Sequence, residues 1–130
     1  MAESDLNERT KAFAIRIIRL VAALPSGRVG DVLGRQVLKS GTSIGANWRE
    51  AKRASSKKQF ISTTEICIRE GDETLYWLDL LTESEIVKPA RLLPIRNECN
   101  ELVAILTAIV KNAKRGIPST TRVSMAMPNS

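Results

Sequence analysis

Apolar residues recur along this chain at helical intervals in four stretches, divided by short segments of proline, glycine and serine. In the first stretch Phe13, Ile17, Leu20 and Leu24 follow at spacings of 4, 3 and 4, and Ala14, Ile18 and Val21 widen the stripe. This is the pattern of a helix with one buried face. It predicts a helix from Asp5 to Leu24, ended by Pro25-Ser26-Gly27, because proline cannot continue the hydrogen-bond ladder. A second helix is expected from Val29 or Asp31 to about Ala54. Gly41 and Gly45 lower its propensity, which points to a bend or a tightened turn near Ser40–Ser43. Small residues there also let a neighbouring helix come close. Ser55-Ser56 reads as the cap of a third helix reaching about Glu83. Its seam of Phe60, Thr64, Cys67, Gly71, Thr74, Leu78 and Leu81 alternates spacings of 4 and 3, which is heptad spacing. Beside it Ile66, Glu70, Glu73, Trp77 and Leu80 form a second row that buries or borders two carboxylates. The fourth helix is expected to start between Pro89 and Pro94, to carry a seam of Ile95, Cys99, Leu102, Leu106 and Ile109, and to stop at Gly116 and Pro118.

Four long helices with short connections predict an all-α fold, an antiparallel up-down-up-down four-helix bundle. The bundle domain is assigned to residues 1–115 and a flexible C-terminal tail, which lacks periodicity, to 116–130. A chain of 130 residues suits one domain. Its 43% hydrophobic content supplies a core, but only 4% is aromatic, so aliphatic side chains must fill it. Apolar residues outside the narrow seams of the first, third and fourth helices point to self-association.

Several function classes are disfavoured. No apolar run approaches the roughly 18 residues needed to span a bilayer. The N-terminal MAESDLNERTK lacks the basic-then-apolar order of a signal peptide, so a cytoplasmic protein with no membrane partner is expected. The chain has no histidine and only two cysteines, which removes the commonest general base and the usual zinc ligand sets. A hairpin centred near residue 87 leaves Cys67 and Cys99 roughly 10 Å out of step at about 1.5 Å per residue. Two reduced core thiols are therefore expected rather than a disulfide. The carboxylates Glu65, Glu70, Asp72, Glu73 and Asp79 lack the Glu-x-x-His partners of a di-metal bundle. There is no Walker-type run and no GxGxxG. No cofactor and no metal are expected, and the chain reads as non-enzymatic.

Charge adds a candidate site. The formal net charge is +6, unevenly placed. Lys57 to Glu85 carries three bases against seven acids, whereas Lys88 to Arg115 carries six bases against two. Arg49, Lys52, Arg53, Lys57 and Lys58 cluster across the turn between the second and third helices. These five are the nucleic-acid-binding candidates, because a basic patch gains affinity for RNA or DNA by releasing counterions. Only Trp48 and Phe60 lie near them, so binding largely independent of base sequence is expected rather than base stacking. The competing reading pairs the acidic third helix with its basic neighbours, within or between subunits. It makes the protein a protein–protein interaction scaffold with no nucleic-acid binding. Tyr76 and Trp77 are the side chains that could anchor such an interface, although Trp77 and Trp48 could equally fill the core.

One polar row is more regular than a solvated face needs. Gln36, Ser40, Ser43, Asn47 and Glu50 follow at spacings of 4, 3, 4 and 3, on one helical face. Serine hydroxyls near a carboxylate suggest a nucleophile, but no base accompanies them. A buried hydrogen-bonded network that sets helix register is the better reading, with Glu50 pairing to Arg16 or Arg19.

The run from Gln36 to Ala51, QVLKSGTSIGANWREA, together with Ser55–Ile61 and Glu70–Leu78, resembles the bacterial four-helix-bundle family that includes proteins encoded in intervening sequences of large-subunit ribosomal RNA genes. More distantly it resembles the accessory proteins of diversity-generating retroelements. The likeness extends roughly from Phe13 to Lys114. The resemblance implies a four-helix bundle that assembles into a ring-like pentamer, so self is an expected partner. It also makes a reverse transcriptase, or another protein, a conceivable partner.

Overall fold

The structure is a computed structural model, which describes residues 3–116. Four helices make up the fold: α1 (Glu3–Ala22), α2 (Arg28–Ala51), α3 (Lys57–Glu83) and α4 (Pro89–Lys114). No strand occurs among the described residues. Short turns return the chain each time. α2 packs against α1 on one side and α3 on the other, α4 lies against α3, and the α1–α4 side is the most lightly packed. This is the expected antiparallel bundle. Of the segment 116–130 assigned as a tail, all but Gly116 lies outside the described residues.

The third helix is buried along the seam its heptad spacing marks: Phe60, Thr64, Cys67, Gly71, Thr74, Leu78 and Leu81. The fourth buries Ile95, Cys99, Leu102, Leu106 and Ile109, with Leu92, Val110 and Ala113 extending the stripe. Trp48 is fully buried and meets Phe60 edge to face, with ring centroids 6.0 Å apart. Trp77 is half-buried at the margin, where it meets the exposed Tyr76 at 5.1 Å. Both cysteines are buried and free, and Cys99 Sγ lies 3.4 Å from the Gly71 carbonyl.

α1 and α2 end a little earlier than the apolar pattern. Their last turns tighten, with Leu24 N–H donating to Val21 O at 3.2 Å and Ala54 N–H to Ala51 O at 3.1 Å. Side chains therefore stay in phase for some residues after the α-helical ladder stops. The tightened turn expected at Ser40–Ser43 does not occur, and α2 is α-helical throughout. Its glycines are contact points instead. A Cβ at Gly41 would lie 2.8–3.2 Å from three atoms of Ile17, and one at Gly45 would lie 3.0 Å from Thr10 Oγ1. α4 comes equally close to α3 at Gly71, where a Cβ would meet Val103 Cγ2 at 2.5 Å.

α3 is closed by a side-chain cap at its start and a backbone cap at its end. Ser56 accepts from Gln59 N–H at 3.1 Å, and Gln59 Oε1 in return accepts from Ser55 N–H at 2.9 Å. This is a close variant of the reciprocal capping box. At the end of α3, Ile86 N–H donates to Leu81 O at 3.1 Å and Glu85 N–H to Thr82 O at 3.0 Å. That is a Schellman closure, with Glu85 in the left-handed region at φ 65° where glycine is usual. Pro89 occupies the first turn of α4, while Pro94 lies inside the helix and is exposed.

Candidate nucleic-acid interface

The antiparallel order gathers four chain segments at one end of the bundle: the start of α1, the end of α2, the start of α3 and the end of α4. The five predicted cations lie there. Arg49 is exposed on the last turn of α2, Lys52 caps that helix, Arg53 is exposed in the turn, and Lys57 and Lys58 open α3. The Ser56–Gln59 cap holds this turn in place. The five are not equivalent. Lys52 and Lys57 are half-buried and already engaged, whereas Arg49, Arg53 and Lys58 are the exposed members.

The sequence reading missed the contribution of α4. Its last turn brings Lys111 and Lys114 to the same end, followed by Arg115. Lys114 Nζ reaches Glu65 Oε2 on α3 at 2.9 Å. A Cβ at Gly116 would lie 3.8 Å from Lys57 Nζ, so the end of α4 meets the first turn of α3. The up-down-up-down order could have signalled this, since it pairs the start of the third helix with the end of the fourth. Arg49 and the α4 lysines also sit at helix C-termini, where cations offset the negative end of the helix dipole.

The acidic third helix is partly neutralised within the bundle. Arg96 Nε lies 2.7 Å from Asp79 Oδ1 and its Nη2 lies 3.2 Å from Oδ2. This bidentate bond from Arg96 holds the Asp79 carboxyl below its ordinary range and raises the guanidinium in turn. On the α1–α4 side Arg9 bridges Glu98 at 2.6 Å and Glu101 at 3.1 Å, and the bond to Glu98 chiefly raises its pKa. Burial pushes the Cys67 and Cys99 thiols up to about 12, which makes both unreactive core residues at neutral pH.

The polar row does not stay on one protein-facing surface. Ser40 is buried and shares a 2.9 Å hydrogen bond with Thr74 on α3. Gln36, Ser43 and Asn47 are half-buried, and Glu50 is exposed. Ser43 Oγ donates to Lys39 O at 2.6 Å and Asn47 Nδ2 to Ser43 O at 2.8 Å, so these two bond their own helix. Within the row, only Ser40 hydrogen-bonds to another helix among the described residues. Glu50 does not pair with Arg16 or Arg19. Those arginines line the groove between α1 and α4, toward the end of α1 opposite the last turn of α2 that carries Glu50. No side chain able to act as a base bonds Ser40 or Ser43. Among the described residues no cluster of three or more Cys, Asp or Glu side chains is placed to hold a metal. None of the described helices is long and apolar enough to cross a membrane.

Comparisons with known proteins agree with this architecture. A crystal structure of a protein of unknown function from the S23 ribosomal protein family of Bacteroides thetaiotaomicron is 37% identical, with a TM-score of 0.80, over 85% of this chain and 99% of that one. No curated protein matches the chain. The family model described as 23S rRNA-intervening sequence protein matches residues 2–108. With that match across all four helices, the chain belongs to the 23S rRNA-intervening sequence protein family.

Proposed function

We propose that this protein is a non-enzymatic, cytoplasmic, oligomeric adaptor whose basic bundle end binds RNA or DNA phosphates largely independently of base sequence. One observation carries the reading. Arg49, Arg53 and Lys58, from the α2–α3 turn, stand at the same end as Lys111 and Arg115 from α4, all exposed. Exposed cations on a rigid helical frame suit a phosphate backbone, where each contact releases counterions. The two aromatic residues beside the patch lie in the core, Trp48 at 0% and Phe60 at 2% exposure. Neither can stack on a base, which favours backbone contacts over base readout. The family's name links it to intervening sequences of 23S rRNA, a setting in which structured RNA is near at hand.

Association of copies multiplies the patch. Ile15, Ile18, Val29, Val32, Tyr76 and Leu93 are large apolar side chains left exposed on the subunit, and they are natural contacts between copies. The number five, and a reverse transcriptase as partner, rest on the family resemblance alone. A ring turns weak single contacts into multivalent ones and raises affinity by orders of magnitude.

The test is fluorescence anisotropy of labelled structured RNA and duplex DNA across a salt series, with sedimentation to count subunits. About four phosphate contacts should lower affinity roughly a hundredfold between 50 and 200 mM salt. Arg49→Glu, Arg53→Glu and Lys58→Glu together should abolish binding while assembly persists. No binding at low salt would sink the reading. It would favour the second one, a protein-binding scaffold, for which Tyr76, 56% exposed beside Trp77, is the best anchor.

A further inference from the structure

We propose that the groove between α1 and α4, at the opposite end of the bundle, is a second and separate binding site for a phosphate group. It measures about 250 Å³ and is lined by Arg16 and Arg19 of α1, Arg91 of α4, and Leu20, Leu92 and Ile95. Three guanidinium groups border it and no carboxylate does.

The imbalance is local. Elsewhere on these two helices arginines find acids: Arg9 takes Glu98 and Glu101, and Arg96 takes Asp79. Those pairs occupy the carboxylates of α4, and Arg16, Arg19 and Arg91 form no ion pair among the described residues. Three like charges around one groove repel each other, and a doubly charged oxyanion relieves that repulsion. Arginine is also the side chain whose planar fork matches phosphate oxygens two at a time. α4 begins here, with Lys88 as its N-cap and Arg91 in its first turn, and α1 ends here, with Arg19 in its last turn, so the two helix dipoles oppose each other and the guanidinium groups set the positive field. Leu20, Leu92 and Ile95, at 8%, 2% and 5% exposure, give a floor for the organic part of a phosphate ester. The lighter α1–α4 packing leaves the groove open. From Arg91 to Lys114 along α4 is roughly 35 Å at about 1.5 Å per residue, so this site is distinct from the basic end and does not rest on its reading.

The experiment is isothermal titration calorimetry of the full chain with inorganic pyrophosphate at low salt. Saturable binding is expected, and Arg16→Gln/Arg19→Gln/Arg91→Gln should weaken it by about tenfold or more, as loss of charge-assisted contacts does. Lys39→Gln, which removes an exposed cation of α2 that lines neither the groove nor the basic end, should bind pyrophosphate as the parent does. Arg91→Lys, which keeps charge but loses the fork, should fall between the two. All three arginines are exposed, so the variants should keep the parent circular dichroism and melting, and this is checked first. Absence of saturable heat, or a triple variant that binds like the parent, overturns the proposal. A loss of the same size in Lys39→Gln overturns it as well. RNA anisotropy on the triple variant then identifies the source of the phosphate. Unchanged RNA affinity assigns the site to a small phosphorylated molecule, and a parallel loss assigns it to a nucleic-acid backbone.

Discussion

Gly71→Ala should destabilise this bundle even though alanine is the better helix former. The added Cβ would lie 2.5 Å from Val103 Cγ2, about 1 Å inside the ordinary carbon–carbon contact of roughly 3.5 Å. Val103 has little room to yield, because a β-branched side chain in a helix keeps essentially one χ1 rotamer. Overpacking of this kind costs about 1–3 kcal/mol, against a propensity gain of about 1 kcal/mol for replacing glycine. A net loss of about 1 kcal/mol is expected. The assay is urea unfolding followed by circular dichroism at fixed protein concentration, reading the midpoint with the slope unchanged. Val103→Ala supplies the control. Alone it should cost about 0.5–1 kcal/mol, since the side chain is half-buried and loses roughly two methyl contacts. Combined with Gly71→Ala it removes the clash and leaves two alanines in helices. The double variant should then be more stable than Gly71→Ala alone, with a favourable coupling of about 2 kcal/mol, the size of the clash removed. If Gly71→Ala matched or exceeded the parent and the two changes simply added, close approach of α4 would not be what requires glycine at this position.

Other expectations follow from single features. Glu85→Gly should stabilise the protein by about 1 kcal/mol, because Glu85 occupies the left-handed position of the Schellman closure at φ 65°; a fall in the thermal midpoint would contradict this. Asp79 has a folded pKa below its unfolded value because of Arg96. Its contribution is therefore present above the unfolded pKa and lost as pH falls through the folded one. The pair is more than a third exposed, so Asp79→Asn should cost only about 0.2–1 kcal/mol at pH 7, and the difference from the parent should vanish in acid melts. The thiols behave oppositely. With folded pKa values raised from 9.0 to about 12, their stabilising contribution is full below pH 9 and lost as pH rises toward 12. Cys67→Ala/Cys99→Ala should flatten the alkaline fall in stability, and the native parent at pH 7.5 should react with iodoacetamide only after unfolding.

The chain alone determined the four helices, their buried seams and their order. Heptad and helical spacing fix which face of a helix is apolar whatever lies opposite, which is why the α3 seam from Phe60 to Leu81 is buried residue for residue as spaced. Capping is equally local, so Ser55-Ser56 could be recognised from its own neighbourhood. The ends of α1 and α2 were less legible, because tightened last turns keep apolar side chains in phase after the α ladder stops. Tertiary structure alone decided the partners across helices. The polar row shows this: of five residues on one face, only Ser40 reaches another helix, through Thr74, while Glu50 is exposed. The groove shows it too. Nothing in the spacing of Arg16, Arg19 and Arg91 places them around one groove, whereas the up-down-up-down order already sets Lys111 and Arg115 at the end that holds Arg53 and Lys58. A helix's periodicity fixes its own faces, but its axial shift and rotation against a neighbour depend on close packing at points such as Gly41–Ile17 and Gly71–Val103. Those long-range contacts decide which charges meet an acid and which are left exposed.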